Sequence, residues 1–395
     1  MSSPLILLAV TSAFLASPAL QAQQDTEQRI AELERQLRSL DEEMEALQFG
    51  EQLVPPVQAQ GQAGLAPAAS KVYGVQQGLS IGGYGEMLYT DRDSGTQLDL
   101  YRAIVYLGYR FDENWLFNSE IEWEHGDETA VEFAYLEYQH DEHLNVRIGH
   151  QLVPMGFVNQ LHEPTTFLSP NRPLIERYIL PSTWHENGVA VYGSAGDFDY
   201  QFALMNGFDA EDFDLENSGL CGGRQKGSKA DAEDLAAILR LDWHGVDGLW
   251  LGGSVYLGDS GQSSGAQDFA TTVFELHAQY EVGGFISRAV YAAASVDGAA
   301  ALTTPSPSDD LSGYYLDLGY DVFADRGTES SLTPYLRYSA YDLSEDSATD
   351  SEVTRLMLGL AWQPIPQLIF KAAFTQEEQG AIDDNILELS TGYVF

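Results

Sequence analysis

The residues best suited to chemistry gather between Val153 and Asn187, in the run VPMGFVNQLHEPTTFLSPNRPLIERYILPSTWHEN. Glu163, Arg172, Glu176, Arg177, His185 and Glu186 lie in it, stiffened by Pro154, Pro164, Pro170, Pro173 and Pro181. Arg172 and Arg177 carry planar, permanently charged donors that match oxyanions. Glu163 and Glu186 would orient those donors or oppose an anion. The same charges could instead pair with their surroundings and pin the segment. Residue type leaves lining and pinning equally open.

A metal reading draws on His125, His162, His185 and His277, with Glu120, Glu122, Glu124, Glu163 and Glu186. Imidazole and carboxylate are what divalent transition metals accept. No pair has the tight spacing of a helical HExxH site, so no metal ligand set is assigned. Nucleophilic catalysis has less support. Ser182 and His185 are near in sequence, but no nucleophile elbow or oxyanion donor accompanies them. The chain reads as a non-enzyme that needs no cofactor.

These residues must be positioned by β structure. From Leu79 onward the hydrophobic period is two, as in Trp115, Phe117, Ile121 and Trp123 against Asn118, Glu120, Glu122 and Glu124. About sixteen such segments follow, centred near Tyr84, Val105, Glu120, Tyr135, Val146, Val189, Phe202, Leu239, Ser254, Leu276, Val290, Leu318, Leu336, Leu358, Phe370 and Leu389. Aromatics sit at the ends of the apolar faces, where interface girdles belong. The last residues, NILELSTGYVF, alternate too, and an apolar terminal strand is a hazard unless it pairs. Leu79–Thr90 is the natural partner. The fold class expected is an all-β transmembrane barrel of about 16 antiparallel strands, with a short N-terminal coiled-coil helix. A soluble sandwich is the alternative, but it has no use for girdle aromatics. Alternation places Arg102, Glu120, Glu122, Glu124, Arg147, Arg240, Arg337, Arg355 and Lys371 on the wet, lumen-facing side.

Composition agrees. The 395 residues are 44% hydrophobic, with 37 Gly and 21 Tyr, which suits turn-rich β structure. Cys221 is the single cysteine, so no intrachain disulfide forms. Lys plus Arg is 19 against 60 for Asp plus Glu, a net of −41, which argues against a nucleic-acid partner. Only the N-terminus has a continuous apolar run, so any membrane crossing must be by strands.

Four regions result. Residues 1–22 read as a signal peptide, with an apolar core at Leu5–Leu15 and a small-residue exit at Ala19–Ala22. Residues 23–48 carry a heptad seam at Ile30, Leu33, Leu37, Leu40, Met44 and Leu47, expected as a coiled coil in the periplasm. Residues 49–78 are rich in Gln, Ala, Gly and Pro and read as a flexible linker. Residues 79–395 are the barrel. The Val153–Asn187 segment is too long and too apolar for an idle loop, so it is expected to fold into the lumen and narrow it.

Several stretches resemble the phosphate-selective porin family (O and P type) of Gram-negative outer membranes. They are Gly82–Glu86 (GGYGE), Ser119–His125 (SEIEWEH), His162–Pro164 with Phe167, Arg172–Pro173, Pro181–Gly188 (PSTWHENG) and Gly223–Gln225 (GRQ). The resemblance covers roughly Leu79 to Phe395. It implies a trimeric sixteen-stranded barrel among outer-membrane lipid and lipopolysaccharide, with a constriction loop passing small anions, phosphate above all. Ile at a with Leu at d leans instead toward a two-stranded coiled coil. The acids on the lumen face hold open a cation- or divalent-metal-permeable passage, because selectivity follows the local ring and not the net charge.

Overall fold

A computed structural model describes residues 61–262, 267–345, 351–380 and 382–395, and the helical residues Arg29, Leu33, Arg35 and Arg38. The expected signal peptide and most of the coiled-coil seam lie outside the described residues. The barrel belongs to a compact unit running from Val54 to Phe395.

Sixteen antiparallel strands close into a barrel, each paired with its sequence neighbours and β1 with β16. The first eight are β1 (Gly78–Arg92), β2 (Gly95–Arg110), β3 (Trp115–Glu124), β4 (Glu128–Gln139), β5 (Asn145–Leu152), β6 (His185–Ala195), β7 (Phe198–Asn206) and β8 (Leu235–Val246). Then come β9 (Leu249–Gly258), β10 (Thr271–Val282), β11 (Phe285–Val296), β12 (Asp310–Tyr320), β13 (Ser331–Asp342), β14 (Val353–Ile365), β15 (Leu368–Gln379) and β16 (Ile382–Val394). Each of the sixteen expected centres falls in a different strand. Closure follows the expected pairing, with Tyr84 opposite Val394 and Tyr89 opposite Leu389. The Phe395 amide donates to the Gly83 carbonyl at 2.9 Å, and the Gly83 amide returns a bond at 3.0 Å.

Alternation decides which side chains face out. Leu239, Leu276 and Leu358 are exposed on the outer face, while their neighbours Arg240, Glu275 and Met357 are buried inside. The two ends differ. At the end holding both barrel termini the turns are short, 321–330 excepted. Gly283 and Gly284 alone join β10 to β11, both at positive φ (57° and 83°), the backbone that a two-residue hairpin demands. Around this terminal end lie exposed Tyr109, Trp115, Phe198, Phe285, Tyr320, Trp362 and Tyr393. The long connections, 153–184 and 207–234, leave from the opposite, loop end.

The core is inside the barrel. Met155, Phe157, Ile175, Ile179, Leu180 and Trp184 of the first long loop pack on Phe208, Phe213, Leu215 and Leu220 of the second, and on Ile238, Tyr256 and Val273 of the wall. Each such aliphatic or aromatic side chain contributes about 1.5–3 kcal/mol when fully buried. A second cluster corrects the linker expectation. Within 49–78, residues 61–77 are no free tether: Leu65, Ala68, Ala69 and Val72 pack against Tyr84, Ile104, Tyr106 and Phe133 of the wall. Small apolar residues in an Ala-rich run fit a narrow space that bulkier ones would not.

Candidate functional site

Two large cavities lie in the lumen among the described residues. The first, of about 990 Å³, opens at the loop end and is lined by Arg92, Arg102, Arg172, Arg177, Arg224, Lys226 and Arg355, with Glu122, Glu124, Glu128, Glu132, Glu377 and Glu388. The second, of about 1630 Å³, lies at the terminal end; its basic lining residues are Arg110, Arg240 and Arg288, against eight acids that include Asp141, Asp199, Asp247 and Glu281. Among the described residues none lines both cavities. The two inserted segments, 61–77 and 153–184, form the septum between them.

Strand register sets most of the charge pairs, because inward arginines stand opposite inward acids. Arg102 faces Glu86 on one side and Glu124 on the other. It holds Glu86 at 3.2 Å, Glu122 at 3.3 Å and Glu124 at 2.9 Å. Arg147 faces Glu137 (2.9 Å), and Arg355 faces Glu377 (3.0 Å). Arg337 grips Asp317 with two bonds of 2.6 Å.

Pinning is the role of most wall cations. Arg240 donates to the Gly156 carbonyl at 2.5 Å, Arg288 to that of Thr166 at 3.0 Å, and Lys371 to that of Ser169 at 3.0 Å. Arg337 reaches the Ser169 hydroxyl at 2.7 Å, and Arg147 the Tyr73 hydroxyl at 3.0 Å. Arg240, Arg147, Arg337 and Lys371 are thus buried against the inserted segments, while Arg102 and Arg355 line the loop-end cavity.

The six residues expected at the constriction divide the same way. Glu163 accepts the amides of Ala68 (3.1 Å) and Ala69 (2.8 Å), tying the two inserted segments together. Burial pushes its carboxyl up to about 7, against the pull of those amides. Glu176 accepts the amides of Phe157 and Val158 and the Tyr315 hydroxyl, each within 3.2 Å. Glu186 accepts from Asn206 (2.7 Å) and from the Gln225 amide (2.9 Å), folding the second long loop down. These three are buried and internally satisfied. Arg172, Arg177 and His185 reach the loop-end cavity. Ser182 donates to the Glu176 carbonyl at 2.8 Å, and His185 Nδ1 meets His150 Nε2 at 2.7 Å.

Two features escape an alternation reading. Arg224 and Lys226 come from the second loop, where the GRQ stretch marks Arg224 and no stretch marks Lys226; Arg224 is held by the Pro181 and Thr183 carbonyls (3.0 and 2.9 Å). Glu132 is the extra residue of a β-bulge, since Glu120 pairs with Phe133 and Ile121 with Val131. The bulge turns both Glu132 and Phe133 inward. There Glu132 joins Glu120 and His162, with His162 Nε2 at 3.2 Å from Glu120 and 3.4 Å from Glu132.

No protein-family profile matches the sequence. The chain is 35% identical over 364 residues to an uncharacterized protein of Aquifex aeolicus (strain VF5), spanning 85% of this chain and 84% of that one. The chain belongs to that protein's family. Among solved structures, the outer membrane channel DcaP of Acinetobacter baumannii superimposes with a TM-score of 0.57 at 11% identity, covering 80% of this chain and 97% of that chain. The trimer form of OmpT, an outer membrane protein of Vibrio cholerae, gives 0.53 at 13% identity, covering 80% and 99%. At these identities the likeness is one of fold. This family member therefore shares its barrel fold with those outer-membrane proteins.

Proposed function

We propose that the protein is an outer-membrane porin for passive diffusion of small hydrophilic ions, with phosphate and related oxyanions entering from the loop end. The observation that carries the reading is charge segregation. Only 19 of the 395 residues are basic and 60 are acidic, yet the loop-end cavity gathers seven basic side chains against six acidic ones. Arg177 is exposed there and Arg172 half-buried with its Nε enclosed, so the Arg177 guanidinium is the more open of the two to a solute. Selectivity follows the charges at the narrow point. The exposed apolar belt and aromatic girdle support a lipid surroundings, and the fold shared with a trimeric outer-membrane protein supports a homotrimer. The septum supports small conductance steps, below those of an open sixteen-stranded lumen.

A second reading is favoured by the terminal-end cavity, where acids outnumber bases. That mouth would favour cations, divalent ones included. Zero-current potential in a planar bilayer under a salt gradient separates the two. Anion preference, with phosphate depressing chloride current, is expected. Cation preference would discard the phosphate reading and leave the acidic one.

A further inference from the structure

We propose that Glu120, Glu132 and His162 form a site for one divalent transition-metal cation, which fastens the 153–184 loop to the barrel wall. The three side chains are 0%, 1% and 1% exposed. One ligand atom from each lies within 4.8 Å of the other two. With metal–ligand bonds of about 2.0–2.2 Å, neighbouring ligand atoms sit roughly 3.0–3.5 Å apart. The 3.2 and 3.4 Å separations from His162 Nε2 to the two carboxylates fall in that range.

The hydrogen bonding favours a cation. His162 Nδ1 is 2.7 Å from the Asn159 carbonyl, which can only accept, so Nδ1 carries a proton. That bond orients the ring as outer partners of metal-binding histidines do. Nε2 then directs either a lone pair or a single proton at two carboxylates. A single proton cannot serve both, and Glu120 Oε2 and Glu132 Oε2 are buried with no hydrogen-bond partner. The hydroxyls of Tyr84 and Tyr106 are likewise buried and unpartnered. The Tyr84 ring lies 6.0 Å from that of His162. Thr183 holds the other Glu132 oxygen at 2.6 Å, leaving Oε2 turned to the histidine. An imidazole with two carboxylates suits zinc, manganese or iron(II). His162 is on the loop, whereas Glu120 and Glu132 are on β3 and β4, so a bound ion would bridge the two.

The test uses the full mature chain in detergent, with excess magnesium to occupy exposed acidic loops, titrated with Zn(II) by calorimetry. One tight site per chain is expected, weakened at least tenfold in His162→Gln and Glu132→Gln and unchanged in Glu211→Gln, an exposed residue that lines neither cavity. Zinc should also raise the unfolding midpoint of the parent chain and not that of Glu132→Gln. Heat-modifiable gel mobility identifies folded variants, and Glu132→Gln carries the test if His162→Gln fails to fold. Parental affinity in the folded variants, or no zinc bound beyond what magnesium displaces, would overturn the site. Binding without a rise in midpoint would overturn the fastening. Neither readout depends on ion selectivity, so the site stands or falls apart from the channel reading.

Discussion

Arg172 and Arg177 separate lining from pinning at the level of single residues. Arg177 is exposed in the loop-end cavity, and Arg172 donates to the His162 carbonyl at 3.3 Å. Replacing both with Ala should therefore reduce anion preference while heat-modifiable mobility stays parental; unchanged reversal potentials would show that neither meets the solute. Glu163 makes a different prediction. Its carboxyl, ordinarily near 4.5, sits at about 7 in the fold, so the folded state prefers the protonated form. The stability tied to that proton is present below about pH 4.5 and is lost as pH rises through about 7, at most about 3 kcal/mol. The difference in unfolding midpoint between the parent and Glu163→Gln should therefore change in the variant's favour from pH 5 to pH 8; a pH-independent difference would remove the assignment. The types at 163, 172 and 177 were legible in the sequence. Which charge reached solvent was not, because pinning depends on carbonyls that no residue code specifies.

At the level of elements, the alternation of β1–β16 located the strands and named inward residues such as Glu120, Arg147, Arg240 and Arg337, which are buried inside the barrel. It failed where the backbone broke step. The bulge turns the consecutive residues Glu132 and Phe133 both inward, and nothing in EFAY foretells the extra residue. The linker misled for another reason: composition reports what a segment can do alone, and 61–77 is ordered by a wall and a loop distant in sequence. Two measurements address the elements. Leu276, mid-strand on the outer face, should cost about 2–4 kcal/mol when changed to Arg in a bilayer-folded barrel. A neutral result would mean that face does not meet lipid. Arg337→Ala strands Asp317 without its two bonds and frees Ser169, and should lower stability by roughly 3–5 kcal/mol. A loss within 0.5 kcal/mol would show that the pair is not buried in solution.

For the whole molecule, the charge census and the local charge point in opposite directions, and the barrel reconciles them. A net of −41 counts the whole chain, the acidic terminal-end cavity included; the loop-end cavity, nearly balanced, is what an ion entering there would meet. Light scattering of the detergent-extracted protein should give three chains per particle, and a single chain would leave the barrel to work alone. The grip of the wall on its main loop has a further consequence. Arg240, Arg288 and Lys371 fasten Gly156, Thr166 and Ser169 through main-chain oxygens, which every amino acid possesses. Those three bonds ask for no particular side chain, yet Gly156 is kept to its type by a φ of 73° and by Glu176 beside it, and Ser169 by the hydroxyl that Arg337 grips, which leaves Thr166 as the anchor point whose spelling is freest. Descendants of this gene could redraw the lining of the terminal-end cavity at Thr166 while Arg288 keeps hold of the same carbonyl.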